Sequence, residues 1–449
     1  MRSAFLWVAA LSCPLQLSGD SLLAQERVRA RPPAPVPELI TDRPDRTASA
    51  ALIAPGPLAA QQVGAEGAGH DRDRRAEVDS LAALKARLRA PEAQLEAAER
   101  TQAERRERTP PTTLSGYMDF HYNNFRGGSS RLDFHRFVLL VGHEFQERIR
   151  FYSELEVEHA FVGAEAGGEL ELEQAFVDFH LDPRLVLRVG IFLVPIGILN
   201  ERHEPPAFFG VERHQLETVI VPTTWFEPGV GAFGRLAPGL DYKLYLVGSL
   251  DARGFGPGGI RGGRSKAFKT NADQPAVVAR LTYGGLRGLD LGASVYRGDA
   301  GHAVETSVPV TLLEADAQWR GGPVELRGIW AHTRVGNARE LNRELGRDAD
   351  AGVARQMGGF GLQAAVHLLP STHPMGLAAF ARYEEVDTQR RVPEGFQRAP
   401  RFDRDWWTVG LSFWPDPDVV FKADYQFAGN GDPAVEATDS FNLGLGWWF

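Results

Sequence analysis

Ser440-Phe441-Asn442-Leu443-Gly444-Leu445-Gly446-Trp447-Trp448-Phe449 closes the chain and decides the reading of its fold. Every second residue from Phe441 to Phe449 is large and apolar, and between them stand Asn442, Gly444, Gly446 and Trp448. Successive side chains of a strand point to opposite faces, so this segment has one greasy wall and one mostly small or polar wall. Soluble chains usually end in solvated residues, whereas this one ends on an aromatic. The pattern suits a strand whose outer wall meets lipid and whose inner wall faces a water-filled lumen, with aromatics at the interface.

The same period runs back through the chain. Phe151, Leu155 and Val157 alternate with Arg150, Tyr152, Glu154 and Glu156. Leu313, Ala315, Ala317 and Trp319 alternate with Glu314, Asp316, Gln318 and Arg320, and Phe421, Ala423, Tyr425 and Phe427 with Lys422, Asp424 and Gln426. Continued from Leu114, the alternation predicts an all-β fold over 112–449. It is a transmembrane antiparallel β-barrel of about sixteen strands, a number that leaves an aqueous channel. Connections alternate in length. Gln146-Glu147, Asp182-Pro183, Pro238-Gly239 and Asp416-Pro417-Asp418 are short, while 196–223, 252–275, 336–355, 389–402 and 430–438 are long. Short turns on one side and long loops on the other are the plan of a membrane barrel, with the N-terminal segment on the short-turn side.

Composition agrees. Of 449 residues, 48 are glycine and 10% aromatic, which suits many strands joined by tight turns. Mean hydropathy is −0.25, and no run reaches the roughly eighteen apolar residues of a spanning helix. The net charge of −9 argues against a nucleic-acid partner. Ahead of the barrel, residues 1–25 read as a secretory signal peptide, with Arg2 followed by an apolar core from Ala4 to Leu11. The sole cysteine, Cys13, falls inside it, so the mature chain is expected to hold no disulfide. Residues 26–79, rich in Ala, Pro, Gly and Arg without periodicity, read as a disordered linker. Residues 80–108 read as a short helix or coiled coil, with Leu81, Leu84, Leu88 and Leu95 at three- and four-residue steps and Pro91 breaking the seam.

From Leu132 onward the chain resembles the phosphate-selective porin O and P family. The resemblance rests on Phe151-Tyr152-Ser153-Glu154-Leu155-Glu156, on Gln174-Ala175-Phe176-Val177-Asp178, and on Leu187-Arg188-Val189-Gly190-Ile191-Phe192-Leu193-Val194-Pro195-Ile196-Gly197. It implies a homotrimer of sixteen-stranded pores in the outer membrane of a Gram-negative bacterium, each narrowed by its third loop folding inward. Phe441, Leu443, Leu445, Trp447 and Phe449 resemble the signal that hands such barrels to the barrel-assembly machinery. The expected function is passive diffusion of small hydrophilic or anionic solutes, with phosphate a candidate, and neither catalysis nor a cofactor is expected.

Candidate residues follow from this frame. The long stretch 196–223 interleaves both charge signs, and its Pro205, Pro206, Phe208 and Phe209 argue that it packs. As a constriction its Glu201, Arg202, His203, Glu204, Arg213 and Glu217, with Arg188 on the wall, would filter ions by charge. Lumen-facing positions include Arg150, Glu154, Glu156, Arg280, Arg327, Arg382 and Lys422, among which Arg188, Arg280, Arg327 and Arg382 could line up as an anion ladder. His203-Glu204 and Arg213-His214 match no zinc spacing, so no metal is expected. Gly229-Val230-Gly231-Ala232-Phe233-Gly234 matches a dinucleotide fingerprint, but no helix follows, and its glycines are read as clearing or bending a strand. Two other classes stay open. An outer-membrane hydrolase would need a nucleophile and base at the wall, and a receptor or adhesin would need a folded plug or very long outer loops.

Overall fold

The computed structural model describes residues 112–163 and 167–449. The segments expected to be signal peptide, linker and coiled coil lie outside the described residues. The rest is strands in chain order: β1 (Thr112–Phe125), β2 (Ser130–Gln146), β3 (Ile149–Glu158), β4 (Leu170–Asp182), β5 (Leu185–Leu193), β6 (Phe226–Ala237), β7 (Leu240–Val247) and β8 (Ala276–Leu286). They continue as β9 (Leu289–Asp299), β10 (Pro309–Gly321), β11 (Val324–Val335), β12 (Gln356–His367), β13 (Gly376–Arg391), β14 (Asp403–Asp416), β15 (Val419–Asn430) and β16 (Ser440–Trp448). Each pairs antiparallel with its chain neighbours, and β1 pairs with β16, so the sixteen strands form a closed barrel. No helix of the described residues is long and apolar enough to cross a membrane.

Closure leaves no exposed edge, which is what a sheet in hydrocarbon requires. The terminal residue takes part: Gly116 N–H donates to Phe449 O at 3.1 Å and Phe449 N–H to Gly116 O at 3.0 Å. The ring of Phe449 lies over Gly116, where any Cβ would sit 2.6 Å from it. The outward residues form a continuous apolar belt. Leu246, Leu281, Leu313, Leu362, Leu411 and Phe421 are each 43–56% exposed, an apolar surface far larger than water tolerates and of the kind lipid solvates.

The inner wall departs from the expected polar face. Along β13 to β16 and β1 to β5 it carries charged residues, as it does lower down β8, β10 and β11 at Arg280, Glu314, Asp316, Glu325 and Arg327, but on the long-loop side of β8 to β12 it is apolar. Val278, Val310, Leu312, Ile329, Val335 and Met357 are all inward and at most 4% exposed. Loops cover them. Leu250, Phe255 and Ile260 from the β7–β8 connection, Trp225, and Ala338 and Leu341 of a short helix (Ala338–Glu344) complete one core inside the barrel. The sequence marks the sector where alternation fails, as at Val310-Thr311-Leu312-Leu313, because a strand apolar on both faces is covered on both.

Candidate functional site: the third loop inside the barrel

The connection from β5 to β6 turns into the barrel. Asn200 fastens its neck, donating from Nδ2 to Val194 O at 2.7 Å and Trp225 O at 2.9 Å and accepting from Trp225 N–H at 2.8 Å. One side chain thus stands in for a strand partner where the two chain ends part. Next to it, Glu217 Oε1 accepts the N–H groups of Ile198 at 2.6 Å and Leu199 at 2.7 Å. Glu217 lies on the short helix α1 (Gln215–Val219), and its Oε2 is 3.4 Å from His214 Nδ1. Gly197, at φ +78°, must be glycine both for that conformation and because a Cβ would stand 2.7 Å from Glu217 Oε1. Burial pushes the Glu217 carboxyl up to about 7, against the pull of the two N–H donors and of Arg327. Burial, with Arg382 and Arg327 beside it, holds His214 well below the usual imidazole range.

The far end of the loop is tied to the opposite wall. Val211 N–H donates to Asp424 Oδ2 at 2.6 Å, Lys422 Nζ to Gly210 O at 2.7 Å, and Arg382 to Phe209 O at 3.2 Å. Lys422 also sits 3.9 Å over the ring of Phe208, and Leu216 N–H donates to Glu384 at 3.0 Å. Proline and glycine let the loop lie flat here. A Cβ on Gly446 would stand 2.5 Å from Pro205, and one on Gly444 would stand 3.2 Å from Val211. The bare inner wall of the last strand is the bed of the third loop. The β7–β8 connection presses from above: Arg261 donates to the carbonyls of Thr218 and Thr223, and Arg264 to that of Thr224.

The candidate charges divide into several groups. Arg188 makes a two-pronged bond to Asp178, both at 2.8 Å, with Phe176 stacked 3.7 Å away. Arg280 meets Glu314 at 3.0 Å and Asp316 at 2.7 Å, Arg327 meets Glu325 at 3.6 Å, and Arg382 meets Glu384 at 3.0 Å. All four arginines lie on the inner wall, but each faces a carboxylate, so together they present a mixed rather than a cationic stripe. Arg150 meets Glu144 at 3.0 Å near the short-turn rim. Glu201 forms a pair with Lys243 at 2.8 Å, which, despite burial, holds its carboxyl below the usual range. His203 is buried with its Nε2 3.0 Å from Tyr117 Oη, 3.2 Å from Glu173 and 3.8 Å from Glu154. Glu156 and Glu204 are also buried, whereas Arg202 is exposed and Arg213 half-exposed. Asn200, Glu173, Arg261 and Arg264 were not legible as site residues. The glycine-rich run Gly254 to Gly263 was the available signal for the second insert.

Over 352 residues the chain is 31% identical to an uncharacterized protein of Aquifex aeolicus (strain VF5), an alignment covering 75% of this chain and 80% of that one. The chain belongs to that protein's family. No family model matches it. Among solved structures, the barrel superposes on OmpF of Salmonella typhi, solved in complex with daunomycin, with a TM-score of 0.52 and 11% identity, covering 75% of this chain and 97% of that one. The outer membrane channel DcaP of Acinetobacter baumannii gives a TM-score of 0.50 at 11% identity over the same 75% and 97%. OmpT, an outer membrane protein of Vibrio cholerae in its trimer form, gives 0.50 at 9% over 75% and 99%. At these identities the likeness to the three solved structures is one of fold.

Proposed function

We propose that the protein is an outer-membrane porin: a homotrimer whose barrels let small hydrophilic solutes diffuse passively across the outer membrane of a Gram-negative cell. The observation that carries this reading is a loop fastened to both banks inside a closed sixteen-stranded barrel with an apolar outer belt. Such a loop narrows a barrel without opening its wall. The fold shared with the channel DcaP and with trimeric OmpT supports the same reading. Residues 1–25 would direct export, 26–79 would link, and 80–108 would lie in the periplasm on the short-turn side. Phe441 to Phe449 would engage the assembly machinery. Because every inner-wall arginine of the candidate set faces a carboxylate, we infer mild charge bias rather than tight phosphate selection.

Planar-bilayer recording of the refolded protein tests this. Conductance in steps of three, with reversal potentials near zero in a KCl gradient and little response to phosphate, is the expected result. Strong phosphate block would restore the phosphate-selective reading. A folded barrel that carries no current would overturn the porin assignment.

A further inference from the structure

On the long-loop side, between the third loop's tip and the wall formed by β1 and β2, lies a cavity of about 470 Å³. Its wall carries Asp133 and His135 from β2, His159 just past the end of β3, and His121 from β1. The pairing of β1 with β2 shifts register between Asp119 and Phe120: Asp119 faces Arg136 and Phe120 faces Phe134, so His135 is an extra, unpaired residue. A bulge of this kind re-aims a side chain, and here it turns His135 inward beside Asp133. His159 is brought over by its own N–H, which donates to His135 O at 3.0 Å.

The result is a convergence of donors. His135 Nδ1 and His159 Nδ1 point at one oxygen, Asp133 Oδ2, at 3.2 and 2.8 Å. The three ligand atoms lie within 4.8 Å of one another. A tetrahedral ion with metal–ligand bonds near 2.1 Å needs its donors roughly 3.4 Å apart, so small ring rotations would suffice. His121 stacks on His135 at 4.6 Å and 15°, and its own Nε2 is held by Asp119 at 2.8 Å, which fixes the ring behind the donor. Arg131 and Glu212 also lie on the cavity wall, Arg131 over the ring of Phe125 and Glu212 with its Oε1 3.4 Å from His121 Nδ1 and 2.9 Å from Asn123 Nδ2.

We propose that Asp133, His135 and His159 bind a divalent transition-metal ion in the mouth of the barrel. Two imidazoles and one carboxylate suit zinc, and copper or nickel next, but not magnesium or calcium, which prefer oxygen. The fourth position opens into the cavity, free for water or for a passing solute. Binding does not depend on the porin reading, whereas an effect on the passage rests on it.

Calorimetry of zinc chloride into the untagged, full-length protein in detergent tests the site. The expected result is one zinc per chain, with affinity at least about tenfold weaker in His159→Ala and in His135→Ala and unchanged in His203→Gln, which removes the separate buried cluster. His159 lies outside the strands with its side chain 42% exposed, so its loss leaves the barrel intact, as heat-modifiable migration would verify. Absence of binding at millimolar zinc would overturn the proposal. So would binding that survives both mouth variants or disappears in His203→Gln. In bilayers, zinc added on the long-loop side should lower the current of the native protein and not that of His159→Ala. A barrel that binds zinc yet never conducts would instead count against the porin reading alone.

Discussion

Glu217 shows how a loop charge can become a structural group. Its carboxyl spends one oxygen on two backbone donors and keeps the other beside a neutral His214. Its folded pKa of about 7 lies above the ordinary carboxylate value, so its stabilising contribution is full below about pH 4.5 and is lost as pH rises through 7. The loss amounts to roughly 3 kcal/mol at most. Channel noise from loop motion should therefore increase between pH 5 and pH 8. Glu217→Gln, which keeps the acceptor and cannot ionise, should flatten that profile. A variant that retains the native pH dependence would refute the assignment. Asn200 is the other neck residue. Asn200→Leu strands the Trp225 N–H, at a cost of about 1–3 kcal/mol for a buried donor, and leaves Val194 O and Trp225 O with only their backbone donors; it should raise the mean conductance with the barrel still heat-modifiable. Neither role was legible. Glu217 reads in sequence as one charge among several on a mixed loop, and Asn200 as an isolated polar residue after Ile198-Leu199, since their partners become neighbours only when the loop folds back.

At the scale of elements, the alternation of strands was legible because lipid demands an apolar residue at every second position, whatever the sequence between. Length decided the loops: the connection from Leu193 to Phe226 was legible as an insert that packs. What filled the other face was not. Gly444 and Gly446 read as a generally small wall, but the reason is the third loop resting on them. Gly446→Val should push Pro205 away and cost about 1–3 kcal/mol, seen as an altered conductance and faster proteolysis within 196–223. An unaltered digest would show that the strand can absorb the side chain elsewhere. Likewise Lys422 and Asp424 read as lumen charges, whereas their bonds go to the loop backbone. Replacing both, as Lys422→Met with Asp424→Ala, should free the tip and enlarge the current steps while the barrel still closes.

On the whole molecule, polar residues crowd one part of the inner wall and apolar residues with their covering loops fill another. The apolar sector escaped the sequence reading because a strand greasy on both faces looks like a strand greasy on one when only the outer face is scored. Its cover depends on Arg261 and Arg264 clamping the carbonyls of Thr218, Thr223 and Thr224. Arg261→Gln with Arg264→Gln should lower the thermal midpoint and expose 252–275 to protease, and resistance equal to the native chain would show the clamp to be dispensable. The tip's anchors carry a different lesson, about the order of events. Val211 waits for Asp424, Gly210 for Lys422, and Pro205 for the bare strand that pairs with β1. These partners arrive more than two hundred residues after the loop itself, at Lys422 and beyond. Contacts so distant along the chain form late. A barrel caught before its last strands join lacks the anchors of the loop's tip at Pro205, Gly210 and Val211, so seating the tip reports that the wall is complete.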